Sequence, residues 1–186
     1  TDIIGQVLTE LNGLDILVVA ASIVQFTSEL VSTSEADTLA VNVGGFHKII
    51  CTAWQYLKST EGGQIVGITS IAAARGNKQA PAYHASKSFQ SSYLESLRVK
   101  ARFEKNNIAV TELIPGYMDT AMGKGDRMFW VISAEKAAKL AFRAIKKKKK
   151  RAFIPRRWWW TWKIQRMLPI FMYDKIVNAK WKLKKK

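Results

Sequence analysis

The chain has 186 residues, 48% hydrophobic and 24% charged, which fits one globular domain with its own core. A mean hydropathy of −0.08 excludes a protein embedded in a membrane throughout, and the one cysteine, Cys51, excludes an internal disulfide framework and suits a reducing compartment. The net charge of +16 sits in the last quarter, because residues 143–186 hold 17 of the 30 Lys and Arg and a single acid, Asp174, while residues 1–142 balance at zero.

The chain opens on Thr1 with no basic-then-apolar leader, which reads as a fragment or a processed product. The first element is the apolar run LDILVVAAS, Leu14 to Ser22, after the turn signal Asn12-Gly13, and it predicts a buried parallel strand. Leu39, Val43, Phe46, Ile50, Trp54 and Leu57 then recur every three to four residues and predict one amphipathic helix. Ser34 is its expected N-cap, with Glu35 and Asp37 in the first turn, and Cys51 within it is expected to be a small buried hydrophobe. GGQIVGITS, Gly62 to Ser70, is a second strand entered through a glycine turn. Residues 82–104 form a second long helix, and Asn107 to Gly116 a third strand that ends in Pro-Gly. Ser133 caps a helix running to about Ile145, and Arg151 to Pro155 is a short fourth strand. Strands alternating with helices predict an α/β fold, a parallel sheet with helices on both faces, whose active site forms beyond the carboxyl ends of the strands.

Ser70 closes the second strand, Tyr83 opens the next helix, and Lys87 lies one helical turn further on, on the same face. A hydroxyl, a phenol and an ammonium can therefore converge at one rim of the sheet. That set suits proton transfer to or from an alcohol or carbonyl oxygen, with the ammonium expected to lower the pKa of the phenol. His84, one residue from Tyr83, is expected to face solvent. Neither His47 nor His84 has Cys or carboxylate partners at ligand spacing, so no metal site is indicated.

At these residues the chain resembles the short-chain dehydrogenase/reductase family. LDILVVAAS resembles that family's fourth strand, and Asn42 in AVNVGGF matches its helix asparagine. GGQIVGITSIAAARG matches its serine strand, YHASK its Tyr-x-x-x-Lys pattern, and IPGYMDT its Pro-Gly turn with a following Thr. The resemblance covers roughly residues 1–155 and implies a Rossmann-like sheet. It implies hydride transfer between NAD(P) and a small-molecule carbonyl or alcohol substrate, here expected to be apolar. In it Tyr83 is the general acid/base, Lys87 tunes Tyr83 and binds the nicotinamide ribose, Ser70 orients the substrate carbonyl, and Asn42 holds a water in a proton relay. Pro115, Gly116, Met118 and Thr120 line the nicotinamide end of the cofactor. Two other readings stay open: Asn42 as a helix residue satisfied by backbone groups, and Thr120 as the cap of a local turn.

Two departures from the family pattern stand out. Val19-Ala20-Ala21-Ser22 replaces the usual Asn-Asn-Ala-Gly, which removes polar support for the central strands. No strand with a glycine-rich phosphate loop precedes Leu14, so the fold is expected to lack the first strands and to expose its first strand as an edge open to another chain, including a second copy as a homo-oligomer. The division expected is a partial Rossmann-like catalytic domain over 1–155 and a basic, aromatic segment over 156–186. That segment holds five of the seven Trp, and Pro169 splits it into two short pieces. It is expected to meet an anionic membrane surface from the cytoplasm, with pocket lining or core packing as the next reading and nucleic acid the least favoured. The rival to the enzyme is a non-catalytic remnant that binds a membrane or a partner through this end.

Overall fold

The computed structural model describes residues 3–26, 29–119 and 129–182. Thr120, assigned above to the cofactor, lies outside them, as does the side chain of Trp181.

A short helix α1 (Ile3–Glu10) leads to β1 (Ile16–Val19). Next come α2 (Ser32–Leu39), a π-helical turn (Ala40–Gly45) and α3 (Phe46–Ser59). β2 (Gly63–Ile68), a 3-10 turn (Ile71–Ala74), α4 (Pro81–Phe103) and β3 (Ile108–Pro115) follow. Two two-residue strands, β4 (Met118–Asp119) and β5 (Ile132–Ser133), pair with each other. The chain ends with α5 (Ala134–Lys146), β6 (Arg151–Ile154), α6 (Trp158–Met167) and α7 (Ile170–Lys182). β1, β2, β3 and β6 form one sheet in that order, every pair parallel.

The alternation of side chains along a strand sends its residues to two cores. Ile65 and Val110 join Phe46, Ile50, Trp54 and Leu57 of α3 and Leu94 and Leu97 of α4 on one face. Val66 and Leu113 join Ala137 and Ala144 of α5, with Ile132 and Ile154, on the other. Helices therefore cover both faces. β1 is one edge of the sheet and β6 the other, and Ile16 and Val18 of β1 are 48% and 45% exposed. Gly62, at φ +101°, turns the chain into β2 so tightly that a Cβ would stand 2.2 Å from the Asn107 carbonyl oxygen.

Several local expectations are corrected. The long helix is interrupted: the ladder widens to π spacing at Ala40–Gly45, with the Phe46 amide bonded to the Val41 carbonyl. Ser34 does not cap it. α2 begins three residues earlier, with Val31 at the N-cap position, so Ser34 lies inside the first turn and Asp37 beyond it. Glu35 is in the first turn, but its Oε2 reaches away, accepting the Ala82 amide of α4 at 2.9 Å. Cys51 is half-buried rather than core, because it lies on the flank of α3, with Sγ 3.3 Å from both His47 Nε2 and the Tyr93 hydroxyl. Ser133 does cap α5, accepting the Lys136 amide at 3.3 Å.

One buried charge ties the last strand to the sheet. Glu112 on β3 is fully buried, and its carboxylate accepts from Arg151 Nε of β6 at 2.6 Å and from the Thr69 hydroxyl at 3.0 Å. Removing one partner of such a pair leaves an uncompensated charge in the core. Arg151→Met should therefore destabilise the protein by about 3 kcal/mol in urea unfolding, and adding Glu112→Leu should restore most of that loss.

Candidate active site

Ser70 follows the carboxyl end of β2 in extended backbone (φ −168°, ψ 160°), and its hydroxyl accepts the Ala72 amide at 3.1 Å, which starts the 3-10 turn. α4 begins at Pro81, a residue pre-set for a first helical position. That places Tyr83 in the first turn, across from Ser70. The Tyr83 phenol is held above its ordinary pKa by burial, and a hydrogen bond with the Ser70 hydroxyl partly offsets this. The expected lowering by Lys87 does not appear in this state: the Lys87 ammonium lies 5.7 Å from the Tyr83 ring centroid, and desolvation is the larger effect.

Lys87 is 3% exposed. Its Nζ donates to the Ile68 carbonyl at 3.2 Å and to Gln90 Oε1 at 3.0 Å. Burial pulls its pKa down to about 8. The other end of Gln90 donates from Nε2 to the Asn42 carbonyl at 2.8 Å, so one amide bridges the ammonium and the π-helical turn. The Asn42 side chain is committed as well. Oδ1 accepts the Ile23 amide at 2.9 Å and the Ser22 hydroxyl at 3.1 Å, and Nδ2 donates to the Ile23 carbonyl at 2.8 Å and to Ser86 Oγ at 3.1 Å. Ser86 in turn donates to the Tyr83 carbonyl at 2.8 Å. Gln90 thus joins Lys87 to the Asn42 carbonyl, a link that the sequence reading did not include. Gln90 lies three residues past Lys87, on the same helical face, but that spacing alone does not mark it. Ser22 supplies part of the polar support that the altered Val19–Ser22 segment was expected to lose.

His84 does not face solvent. Its Nδ1 lies 2.7 Å from the Arg75 carbonyl and 3.1 Å from the Ala72 carbonyl, and burial lowers its pKa. It ties the middle and the end of the 3-10 turn to α4, and so covers a flank that helical spacing alone leaves open.

Pro115 and Gly116 end β3 at the same rim of the sheet, and the Gly116 amide donates to the Ile154 carbonyl at 2.9 Å. Glycine is required at 116 by the Trp158 indole, which a Cβ would meet at 1.9 Å. Met118 packs against the α5 core. Beyond the turn, Trp158 is surrounded by Tyr117, Phe129 and Trp130 at ring-centroid distances of 5.3, 5.1 and 5.5 Å. Ser70, Tyr83 and Lys87 are therefore brought together, with Asn42 joined through Gln90, while Pro115 and Gly116 share their rim on the neighbouring strand.

The depressed Lys87 pKa has a consequence for stability. The unfolded lysine binds its proton up to its ordinary value near 10.5, the folded one only up to about 8. Between these limits the unfolded state holds more protons, so stability contributed at this site rises with pH. Measured by urea unfolding, the native chain should gain stability relative to Lys87→Met between pH 8 and pH 10.5, and show no change in the difference below about pH 7.

The model of the short chain dehydrogenase family matches residues 1–128. An uncharacterized oxidoreductase of Myxococcus xanthus (strain DK1622) is 25% identical over 169 residues, 89% of this chain and 66% of the relative. The 2-dehydro-3-deoxy-D-gluconate 5-dehydrogenase of Dickeya dadantii (strain 3937) is 31% identical over 123 residues, 63% of this chain and 47% of the relative. The chain thus spans less than two thirds of the length of either. Among solved structures, a short chain dehydrogenase from Burkholderia cenocepacia J2315 in complex with NADP superposes with a TM-score of 0.73 at 18% identity, covering 84% of this chain and 67% of that one.

Proposed function

The chain belongs to the short-chain dehydrogenase/reductase family, and from that premise we propose that it supplies the proton-transfer site of an NAD(P)-dependent oxidoreductase acting on an apolar carbonyl compound or its alcohol. The observation that carries this reading is the shared rim: the Tyr83 phenol beside the Ser70 hydroxyl, and a buried Lys87 ammonium one turn behind it.

The donor set fits the nicotinamide-ribose end of the cofactor. Lys87 spends two of its three N–H groups on Ile68 and Gln90, which leaves one for a ribose hydroxyl. Pro115, Gly116, Met118 and Thr120 are assigned to the nicotinamide side. When bound, the nicotinamide supplies or accepts the hydride. The chain's own residues handle the proton. Ser70 holds the substrate oxygen beside the phenol, and Tyr83 gives its proton to that oxygen in reduction and takes it back in oxidation. A phenol held above its ordinary pKa keeps its proton at neutral pH, which suits the acid role. Tyr117, Phe129 and Trp130, each 38–47% exposed beyond the Pro-Gly turn, support an apolar substrate. In the full-length enzyme Tyr83→Phe should lower turnover by about 10²–10⁴-fold with an unchanged melting temperature. Near-normal carbonyl reduction by the folded variant would overturn the assignment.

A second reading concerns where the enzyme works. Trp158 and Trp162 are buried, and so belong to packing, but Trp160, Ile164 and Met167 form one outward stripe of α6, 56–73% exposed. Ile170 and Phe171 continue it past Pro169, at 74% and 73%. Lys163, Arg166 and Lys175 are exposed along these two helices. Apolar side chains bordered by cations suit an anionic membrane surface. Among the described residues no helix is long and apolar enough to cross a membrane. Docking at the surface predicts co-sedimentation with anionic but not neutral vesicles, a blue shift of Trp emission, and loss of both in Trp160→Gln/Phe171→Gln. A chain that stays in the supernatant with anionic vesicles at low salt would refute it.

A further inference from the structure

The lysine run Lys146–Lys150 has no part in the site described above. It meets α4 at the opposite end of the sheet, below the start of β3, where a cleft of about 350 Å³ opens. Arg98 and Arg102 of α4 line one side, Lys148 and Lys150 the other, and Asn106 closes the end.

Two observations separate this cleft from ordinary basic surface. The first is the lack of balancing charge. Glu95 lies 3.7 Å from Arg98 Nη2 but is shared with Arg151 at 3.4 Å, and Glu104 is held by Lys58 at 3.1 Å and Lys100 at 2.5 Å. Among the described residues, no carboxylate is within ion-pair distance of Arg102, Lys148 or Lys150. The second is shape: two guanidinium groups of α4 and two ammonium groups of the loop before β6 line one concave space rather than a flat face.

We infer that this cleft binds a small molecule carrying clustered phosphates. Phosphate oxygens accept from the guanidinium groups in a planar, two-point fashion and from the lysines as point charges. The cleft has the volume of a small-molecule site rather than of an extended strand.

The test is a titration of the 186-residue chain with sodium tripolyphosphate at about 0.15 M ionic strength, where diffuse attraction is screened, read by thermal shift and calorimetry. The expected result is a saturable rise in melting temperature. Arg102→Gln/Lys150→Gln should weaken binding about tenfold, as loss of charge-assisted bonds does. Lys147→Gln/Lys149→Gln removes the same charge from the same loop outside the cleft and should change affinity by less than about twofold. All four side chains are exposed, so both double variants should retain the fold. Absence of saturable binding, equal weakening in the two variants, or tighter binding of a single-stranded oligonucleotide than of tripolyphosphate would each overturn the inference.

Discussion

The Lys87 ammonium is held by two oxygens, the Ile68 carbonyl and Gln90 Oε1, and the surrounding architecture follows from bringing them to it. A charge that water barely reaches is tolerated only when its donors are engaged. β2 delivers one oxygen at its carboxyl end. Gln90 delivers the other, and is itself fixed by the Asn42 carbonyl. The π-helical turn carries Asn42, whose amide then fastens the segment after β1 and, through Ser86, the first turn of α4. Sheet, helix break and helix start thus meet around one ammonium.

Much of this was legible in the chain. Apolar runs and helical spacing located the four strands of the sheet and the principal helices within a few residues, because burial on one or two faces writes a period into the sequence. The order Ser70, Tyr83, Lys87 was legible because helical geometry fixes what lies one turn apart. Tertiary decisions were not legible. Whether Glu35 serves its own helix or another, whether His84 meets solvent or a turn, and where the helix before Phe46 widens all depend on neighbours distant in sequence. Gln90 went unread because a glutamine one turn past a lysine has no chemical signature until the Asn42 carbonyl is placed opposite it.

The aromatic end shows how composition can mislead about location. Five tryptophans among cations read as one surface, yet a helix has two sides. Trp158 fills the space above Gly116, and Trp162 lies at 5.6 Å from Phe153 of β6. Trp160, two residues from both, points away and is 62% exposed. The segment is therefore joined to the body by one set of rings and presents the other. Tyr173 of α7 adds a second attachment, its hydroxyl donating to the Gly76 carbonyl at 2.6 Å beneath Arg75.

The Glu35 contact to the Ala82 amide spans 47 residues of sequence and closes the start of α4. The first turn of a helix is the part that unwinds most readily, since its amides have no partner within the helix. Tyr83 occupies that turn. A phenol placed there would ordinarily sample a spread of positions, changing with each fraying event. The carboxylate of a different helix removes that freedom, so the precision of the phenol is inherited from α2, an element that carries none of the chemistry. Sequence change in α2 would then be read out as a loss of aim rather than of acidity.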